Sequence, residues 1–332
     1  MKEPIKNRQV VVITTRRDAH IPFVESHLFQ PFFVIDPREL LEQKELSFRF
    51  NKQDKELQVT FGDMVLDNVV GVWYRKPQPV IRRELPVKDD YKLYSQNAME
   101  RLSLQLLSAF PNATWISPYY SIMRANNKTL QLVEARACGF NVPDTLVTSN
   151  EAAARAFLNT HPRCISKPLT IAYPKVNGEQ KVLLTTIIEK DSVPNLQNLY
   201  LAPSIFQEAI DYVDDVRVIV IGDQAFGAII RTPEEGEASP EHLKHVRDNR
   251  LGHYEGSIQI EAIHDLPADI AEKCIKHTKR LGLNFGAIDL LIDKKGVWWF
   301  LENNPNGQWA YIEDATKQPM GKAIADLLTK GL

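Results

Sequence analysis

The chain has 332 residues, enough for two or three domains of ordinary size with sizeable cores. With 40 basic and 42 acidic side chains the net charge is −2, so no global field favours nucleic acid or an anionic membrane; 44% hydrophobic and 25% charged residues are typical of a globular protein. No apolar run reaches the ~20 residues of a membrane span and no signal-type core follows Met1-Lys2-Glu3-Pro4, so a cytoplasmic location is expected, with neither nucleic acid nor membrane as partner.

In chain order, Gln9 to Thr15 reads as a buried strand, Pro22 to Phe29 as a helix-length segment and Pro31 to Ile35 as a second strand, a βαβ start. Val69 to Tyr74 is a further strand closed by Arg75-Lys76-Pro77, and Tyr91 to Phe110 carries helical periodicity through Leu93, Met99, Leu102, Leu106 and Leu107. Together these predict a small α/β domain ending near Ser117-Pro118. A helix starts at Asn126-Asn127-Lys128, carries Leu130, Leu132, Val133 and Ala137, and is ended by Gly139. The strand Thr145 to Thr148, the helix Glu151 to Asn159 and the run Cys164-Ile165-Ser166-Lys167-Pro168 follow. Beyond Gly178 the pattern is strand-rich: Lys181 to Ile188, Ser204 to Ile210, Val216 to Ile221 and Ala225 to Arg231. Thr232 to Gly256 is polar and longer than ordinary connections, as lids and disordered loops are. Its His242, His245 and His253 lack a regular ligand spacing and read as solvated. Cys138, Cys164 and Cys274 are scattered through apolar surroundings and read as buried small hydrophobes.

After a helix from Ala268 to Leu281, two apolar runs, Gly286 to Ile292 and Val297 to Leu301, flank the turn Asp293-Lys294-Lys295-Gly296. A two- or four-residue loop would pair Ile292 with Val297 and Asp289 with Phe300, which puts Asp289 and Glu302 on one face as diagonal neighbours, with Asn304 beside them by alternation. A loop of three or five residues would turn the faces over. Oxygen donors of this kind suit magnesium, which takes one or two carboxylates and completes its shell with water and nucleotide phosphates. The plainer alternative is a surface hairpin with solvated acids.

Several landmarks then stand in one order: Lys128, Lys167-Pro168, Phe206-Gln207-Glu208-Ala209-Ile210, Asp215-Val216-Arg217-Val218, Asp289, and Glu302-Asn303-Asn304-Pro305-Asn306-Gly307-Gln308-Trp309. The set resembles the ATP-grasp superfamily of carboxylate–amine ligases. With Trp73-Tyr74-Arg75-Lys76-Pro77 and the closing Gln308-Trp309, it resembles in particular the microviridin-type (graspetide) peptide maturases. The resemblance implies an α/β fold of ATP-grasp architecture: an N-terminal small α/β domain (1–118), a central lid-like domain (119–203) and a C-terminal mixed α+β sheet domain with the metal site (204–332). It implies ATP and Mg2+ as cofactors. Lys128 and Lys167 would reach the nucleotide phosphates, Gln207, Glu208, Ala209 and Ile210 would meet the adenine edge, and Asp215 would meet the ribose. Asp289, Glu302 and Asn304 would take the metal positions, and Arg217, Arg231 and Arg250 the transferred phosphoryl and the acyl phosphate. Two departures stand out: Leu169 to Val182 holds only Gly178 where many relatives have a glycine-rich loop, and Asp248-Asn249-Arg250 has Asn249 where maturases often show tryptophan. The implied activity joins Asp or Glu side chains of a ribosomal precursor peptide, docked through a leader segment, to its own Thr, Ser or Lys side chains, and a homodimer is left open. The rival readings are a ligase that adds a free amino acid, like the ribosomal-protein glutamate ligases, and an inactive nucleotide-binding module that recognises a peptide.

Overall fold

The structure is a computed structural model that describes residues 8–42, 44–50, 52, 57–77, 85–169, 175–176, 179–180, 185–231 and 259–330. The expected βαβ start is present. β1 (Gln9–Ile13), α1 (Ile21–Glu25) and β2 (Phe32–Ile35) lead through the antiparallel meander β3 (Leu46–Arg49), β4 (Gln58–Phe61) and β5 (Met64–Val65) to β6 (Val69–Tyr74). After α2 (Asp89–Leu104), β7 (Thr114–Ile116) completes a parallel sheet of order β2-β1-β6-β7. β1 is central and its valines are fully buried, which is why it reads as an unbroken apolar run rather than an alternating one.

The helix expected over 91–110 runs from Asp89 to Leu104, and none of its residues is buried; Leu93 stands out in solvent. Leu102 packs half-buried against the core, and Leu106, just beyond the helix in a 3-10 turn, is buried in it. One face of the sheet is covered instead by the meander, through Leu46, Val59 and Phe61. Sequence periodicity does not reveal this, because the covering strands come from elsewhere in the chain.

Next come α3 (Tyr119–Ala125), α4 (Lys128–Ala137), β8 (Thr145–Thr148), α5 (Glu151–Thr160), β9 (Arg163–Pro168), the small hairpin β10 (Lys175–Val176) and β11 (Glu179–Gln180), β12 (Thr186–Glu189) and β13 (Ser204–Glu208). β12-β9-β13-β8 form an antiparallel central sheet backed by Ala154 and Leu158 of α5 and by Leu196 and Leu199. This sheet closes only at Glu208, past the boundary expected at 203.

The last sheet is antiparallel throughout, β16-β15-β14-β17-β18, built from β14 (Tyr212–Ile221), β15 (Gln224–Arg231), β16 (Gln259–Ile263), β17 (Phe285–Asp293) and β18 (Trp298–Asn304). Val216, Val218, Val220, Ile288 and Leu290 bury one face against α4 and α6 (Ala268–Arg280). On the other face Ile219, Ile221 and Ala287 share a core with the N-terminal sheet, closed by α7 (Ala310–Thr316) and α8 (Met320–Leu328). Helix α8 lies so close to β6 that a Cβ at Gly71 would sit 2.4 Å from the Leu328 carbonyl oxygen. The three cysteines are free and buried, as expected, and burial pushes the Cys164 thiol up to about 11. Among the described residues no helix is long and apolar enough to cross a membrane. Arg250 and the histidines at 242, 245 and 253 lie outside the described residues.

Candidate active site

The β17–β18 hairpin differs from its expected register twice, and the two differences cancel. Asp293 N–H donates to the Val297 carbonyl (3.0 Å) and Gly296 N–H to the Asp293 carbonyl (2.9 Å), so the loop is the three residues Lys294, Lys295 and Gly296. Gly296 supplies the left-handed residue such a loop needs, with φ 77°. The Asp293 carboxylate stabilises the bend by accepting from Lys295 N–H (2.8 Å), Val297 N–H (2.9 Å) and Trp299 Nε1–H (3.1 Å). Ile292 therefore faces Trp298, not Val297. By itself this would set Leu301 opposite Asp289 and turn Glu302 to the far face. A β-bulge at Leu301 restores the pairing: Leu290 faces Phe300 and Asp289 faces Glu302 directly. The two acids are thus nearer neighbours than the diagonal pair expected, and Asn304, opposite Ala287, lies on the same face.

This face is held from behind. Asn303, fully buried, points to the other side, where its N–H donates to Gln131 Oε1 (2.9 Å) and its carbonyl accepts from Gln131 Nε2 (2.7 Å). Its side-chain amide meets His277 Nδ1 (3.2 Å) and Thr278 Oγ1 (3.3 Å). His277 Nε2 lies 3.1 Å from the Gln131 carbonyl, and burial holds the imidazole neutral by lowering its pKa to about 4. The network ties β18 to α4 and α6, which fixes where Glu302 and Asn304 project.

Three cations surround the acids or stand near them. Lys128 is the first residue of α4, whose N-cap Asn127 accepts from Leu130 N–H at 3.1 Å. Lys128 Nζ donates to Glu302 Oε2 at 2.7 Å. Arg217, which pairs with Asp289 across β14 and β17, forks onto both carboxylate oxygens (2.7 and 3.0 Å) and donates to the Tyr311 hydroxyl (3.0 Å). Burial acts against the Arg217 charge, but Asp289 more than offsets it and the guanidinium stays protonated. Burial likewise acts against the Glu302 carboxylate, yet Lys128 and then Lys167 hold its pKa well below the usual range. Lys167 Nζ also donates to Gln207 Oε1 (3.3 Å), and Gln207 Nε2 donates to Thr145 Oγ1 (2.9 Å).

Asp215 stands one alternation from Arg217 on the same face, opposite Leu291. At the expected adenine strand, Glu208 N–H donates to the Asp144 carbonyl (2.8 Å) and Ala209 N–H to the Arg163 carbonyl (3.1 Å), so these two main-chain donors are engaged within the protein; Ile210 follows, buried. Arg231 is not brought to the group. It falls on the opposite face from Arg217, where it pairs with Asp214 (2.9 Å) and Glu261 (2.6 Å), because Ala228 and Ile230, not Ile229 and Arg231, share the Arg217 face.

A second knot of polar groups carries no role in the sequence reading. Arg75, 2% exposed, donates to the Asn306 carbonyl and to Gln308 Oε1 (3.0 Å), and its Nε lies 3.7 Å from Asp18 Oδ2. His20 Nδ1 is 2.6 Å from Asp18 Oδ1, and His20 Nε2 accepts from Trp309 N–H (3.2 Å). Burial would raise the Asp18 pKa, but the His20 hydrogen bond and Arg75 bring it down to about 2. The knot fastens the Asn304–Trp309 loop, and with it the Asp289–Glu302 face, to the carboxyl ends of β1 and β6. Its one sequence signal is a charged dipeptide directly after an apolar strand.

These sheets and their order are those of an ATP-grasp fold, and the chain carries an ATP-grasp domain. The family model described as "Prokaryotic glutathione synthetase, ATP-grasp domain" matches residues 136–295. A Haemophilus influenzae protein named "Probable alpha-L-glutamate ligase" is 27% identical over 206 residues, 60% of this chain and 61% of that relative, so the match spans less than two thirds of its length. Among solved structures, the macrocyclase MdnC bound with precursor peptide MdnA, from Microcystis aeruginosa MRC, superposes with a TM-score of 0.79 at 26% identity, covering 98% of this chain and 100% of that one. The Chryseobacterium gregarium RiPP-associated ATP-grasp ligase, in complex with ADP and a leader and core peptide, gives 0.83 at 21% identity, covering 98% and 97%.

Proposed function

We propose that the chain is an ATP-dependent ligase acting in the cytoplasm, which activates Asp or Glu side-chain carboxylates of a ribosomal precursor peptide and joins them to Thr, Ser or Lys side chains of the same peptide. The observation that carries this reading is the direct pairing of Asp289 with Glu302 among Lys128, Lys167 and Arg217. It is supported by likeness along nearly the whole chain to a macrocyclase solved with its precursor peptide.

A carboxylate resists alcohols and amines because its leaving group would be oxide. Phosphorylation removes that obstacle: a carboxylate oxygen attacks the γ-phosphorus of ATP and ADP departs, leaving an acyl phosphate. A hydroxyl or amine then displaces phosphate and releases a proton, which gives an ester or amide. The donor set fits a hard divalent cation, being all oxygen, on one face and with Glu302 held ionised. Asp289, Glu302 and Asn304 would hold magnesium, which supplies positive charge to the β- and γ-phosphates. Lys128 and Lys167 neutralise phosphate charge from the Glu302 side, and Arg217, locked by Asp289 and Tyr311, presents its fork at a fixed angle. In this reading Gln207 to Ile210 line the adenine pocket, Asp215 meets the ribose, and Arg250 remains a candidate for the acyl phosphate. Arg231 takes no part.

The experiment is incubation with ATP, Mg2+ and the peptide encoded by a small reading frame beside this gene that carries repeated Thr and Asp/Glu residues. Loss of one water (about 18 Da) per bond formed is expected. Addition of whole residues would support the second reading, a ligase that adds a free amino acid, which the glutathione synthetase and glutamate ligase matches favour.

A further inference from the structure

On the central sheet, away from the Lys167–Gln207 face, side chains from three separate segments meet: Asp144 precedes β8, His161 follows α5 and Glu208 ends β13. Glu208 is one alternation from Gln207 and so shares the outer face of β13 with Phe206, which lies in one core with Ala154 and Leu158 of α5. One ligand atom from each of the three, a ring nitrogen and two carboxylate oxygens, lies within 4.8 Å of the other two. The Asp289–Glu302 site uses none of these side chains.

His161 is oriented as a ligand. Its Nδ1 lies 3.1 Å from the Phe157 carbonyl and 3.0 Å from Thr160 Oγ1. The Thr160 hydroxyl donates its one proton to that same carbonyl (2.7 Å), so both oxygens accept from the ring and Nδ1 carries the hydrogen. Nε2 is left to face the carboxylates, with the ring tilted on Phe157 at a centroid distance of 4.6 Å and 14% exposed. A carbonyl behind one ring nitrogen, with the other nitrogen aimed at further donors, is how metal-bound imidazoles are held. The acids are held as well: Glu208 N–H donates to the Asp144 carbonyl (2.8 Å), and Asp144 N–H points at Glu208 Oε2 (3.4 Å). His161 Nε2 stands 3.4 Å from Asp144 Oδ2. That exceeds the roughly 2.7–2.9 Å of a charge-assisted hydrogen bond. It matches two donors sharing one tetrahedral zinc, which are about 3.3 Å apart when each sits at about 2.0–2.1 Å.

We propose that Asp144, His161 and Glu208 form a zinc site, with water as fourth ligand on the side where the Asp144 side chain is 65% exposed. One imidazole with two carboxylates suits zinc, whereas magnesium prefers oxygen alone. The ion clamps the start of β8 to the ends of α5 and β13 and so braces the outer face of the central sheet. The proposal does not depend on the ligase reading. A protonated His161 merely paired with Asp144 would bind no metal, and the test separates the two.

The test titrates ZnCl2 into the full chain by calorimetry at neutral pH, with millimolar Mg2+ present to occupy the all-oxygen face at Asp289 and Glu302. Zinc should bind with a micromolar dissociation constant and, at about a hundredfold excess over that constant, raise the melting temperature by at least about 3 °C. His161→Gln and Asp144→Asn should each weaken that binding at least about tenfold and remove the rise. In EDTA both variants should melt within about 2 °C of the unaltered chain. Should either variant fail to fold, anomalous scattering at the zinc edge from crystals of the unaltered chain decides, with a peak expected about 2.0–2.1 Å from His161 Nε2. Zinc binding unchanged in His161→Gln, a zinc peak elsewhere with none at His161, or no binding at millimolar zinc overturns the proposal.

Discussion

Replacing Glu302 by glutamine separates what its carboxylate does for the fold from what it does for chemistry. The Lys128–Glu302 pair is 2.7 Å long, but the side chains are 30% and 35% exposed, so solvent screening reduces its net worth to about 1 kcal/mol or less. Glutamine can still accept from Lys128, and the Asn303 network behind β18 is untouched. Thermal denaturation should therefore shift by no more than roughly 2–4 °C. The same change removes one of the two carboxylates on the Asp289–Glu302 face and leaves Lys128 without its countercharge, while Arg217 keeps Asp289. Electrostatic groups of this kind are typically worth 10²–10³ in rate, about 3–4 kcal/mol. Steady-state phosphate release and differential scanning calorimetry on one preparation give both numbers. Activity within threefold of the unaltered enzyme, or a loss of activity matched by a collapse in stability, would refute the reasoning.

Asp289→Asn leaves Arg217 without its bidentate partner, so product formation should fall at least a hundredfold in a peptide assay while circular dichroism stays unchanged. His277 is held neutral with its pKa lowered from 6.5 to about 4; the unfolded chain therefore binds more protons between these values. Its contribution to stability is complete above pH 6.5 and is lost as pH falls towards 4, and His277→Gln should flatten melting temperature against pH over that window. Gly307→Ala would place a Cβ 2.2 Å from Ala287 Cβ, so the Asn304–Trp309 loop must move off β17. A cost of about 1–3 kcal/mol in urea denaturation and weaker Mg2+ binding by calorimetry are expected. Gly296→Ala meets nothing within 4 Å and strains only the left-handed bend, so it should cost about 1 kcal/mol and spare activity.

Strands such as β1, β2, β6 and β17 were legible because their periodicity is local, whereas β3, β4, β5 and β16 were not read. The Asp289–Glu302 face was legible for a less secure reason: the expected loop length was one residue off, and the bulge at Leu301 compensated. Nothing in the run Trp298 to Glu302 announces that bulge, since its cause is the packing of Phe300 and the anchoring of Asn303 by Gln131 and His277 from other elements. Arg231 illustrates the opposite failure. Being on a strand next to Arg217 says nothing about the face, which is set by register with β14, and that register turns Arg231 towards Asp214 and Glu261. The Arg75 knot joins residues 231 apart in sequence, a pairing that no local pattern encodes. The strand expected over Ser204 to Ile210 ends at Glu208, with Ala209 just beyond it, and that the Glu208 and Ala209 amides bind the Asp144 and Arg163 carbonyls depends on neighbours from two other segments.

The measurement closest to the central claim is the anomalous scattering of Mn2+ in crystals grown with a non-hydrolysable ATP analogue. The account predicts a peak between Asp289 and Glu302, at about 2.1 Å from a carboxylate oxygen of each, with the triphosphate reaching it from the Lys167 side. A peak at Asp144, His161 and Glu208, whose ligand atoms lie within 4.8 Å of one another, with none between Asp289 and Glu302, would contradict it.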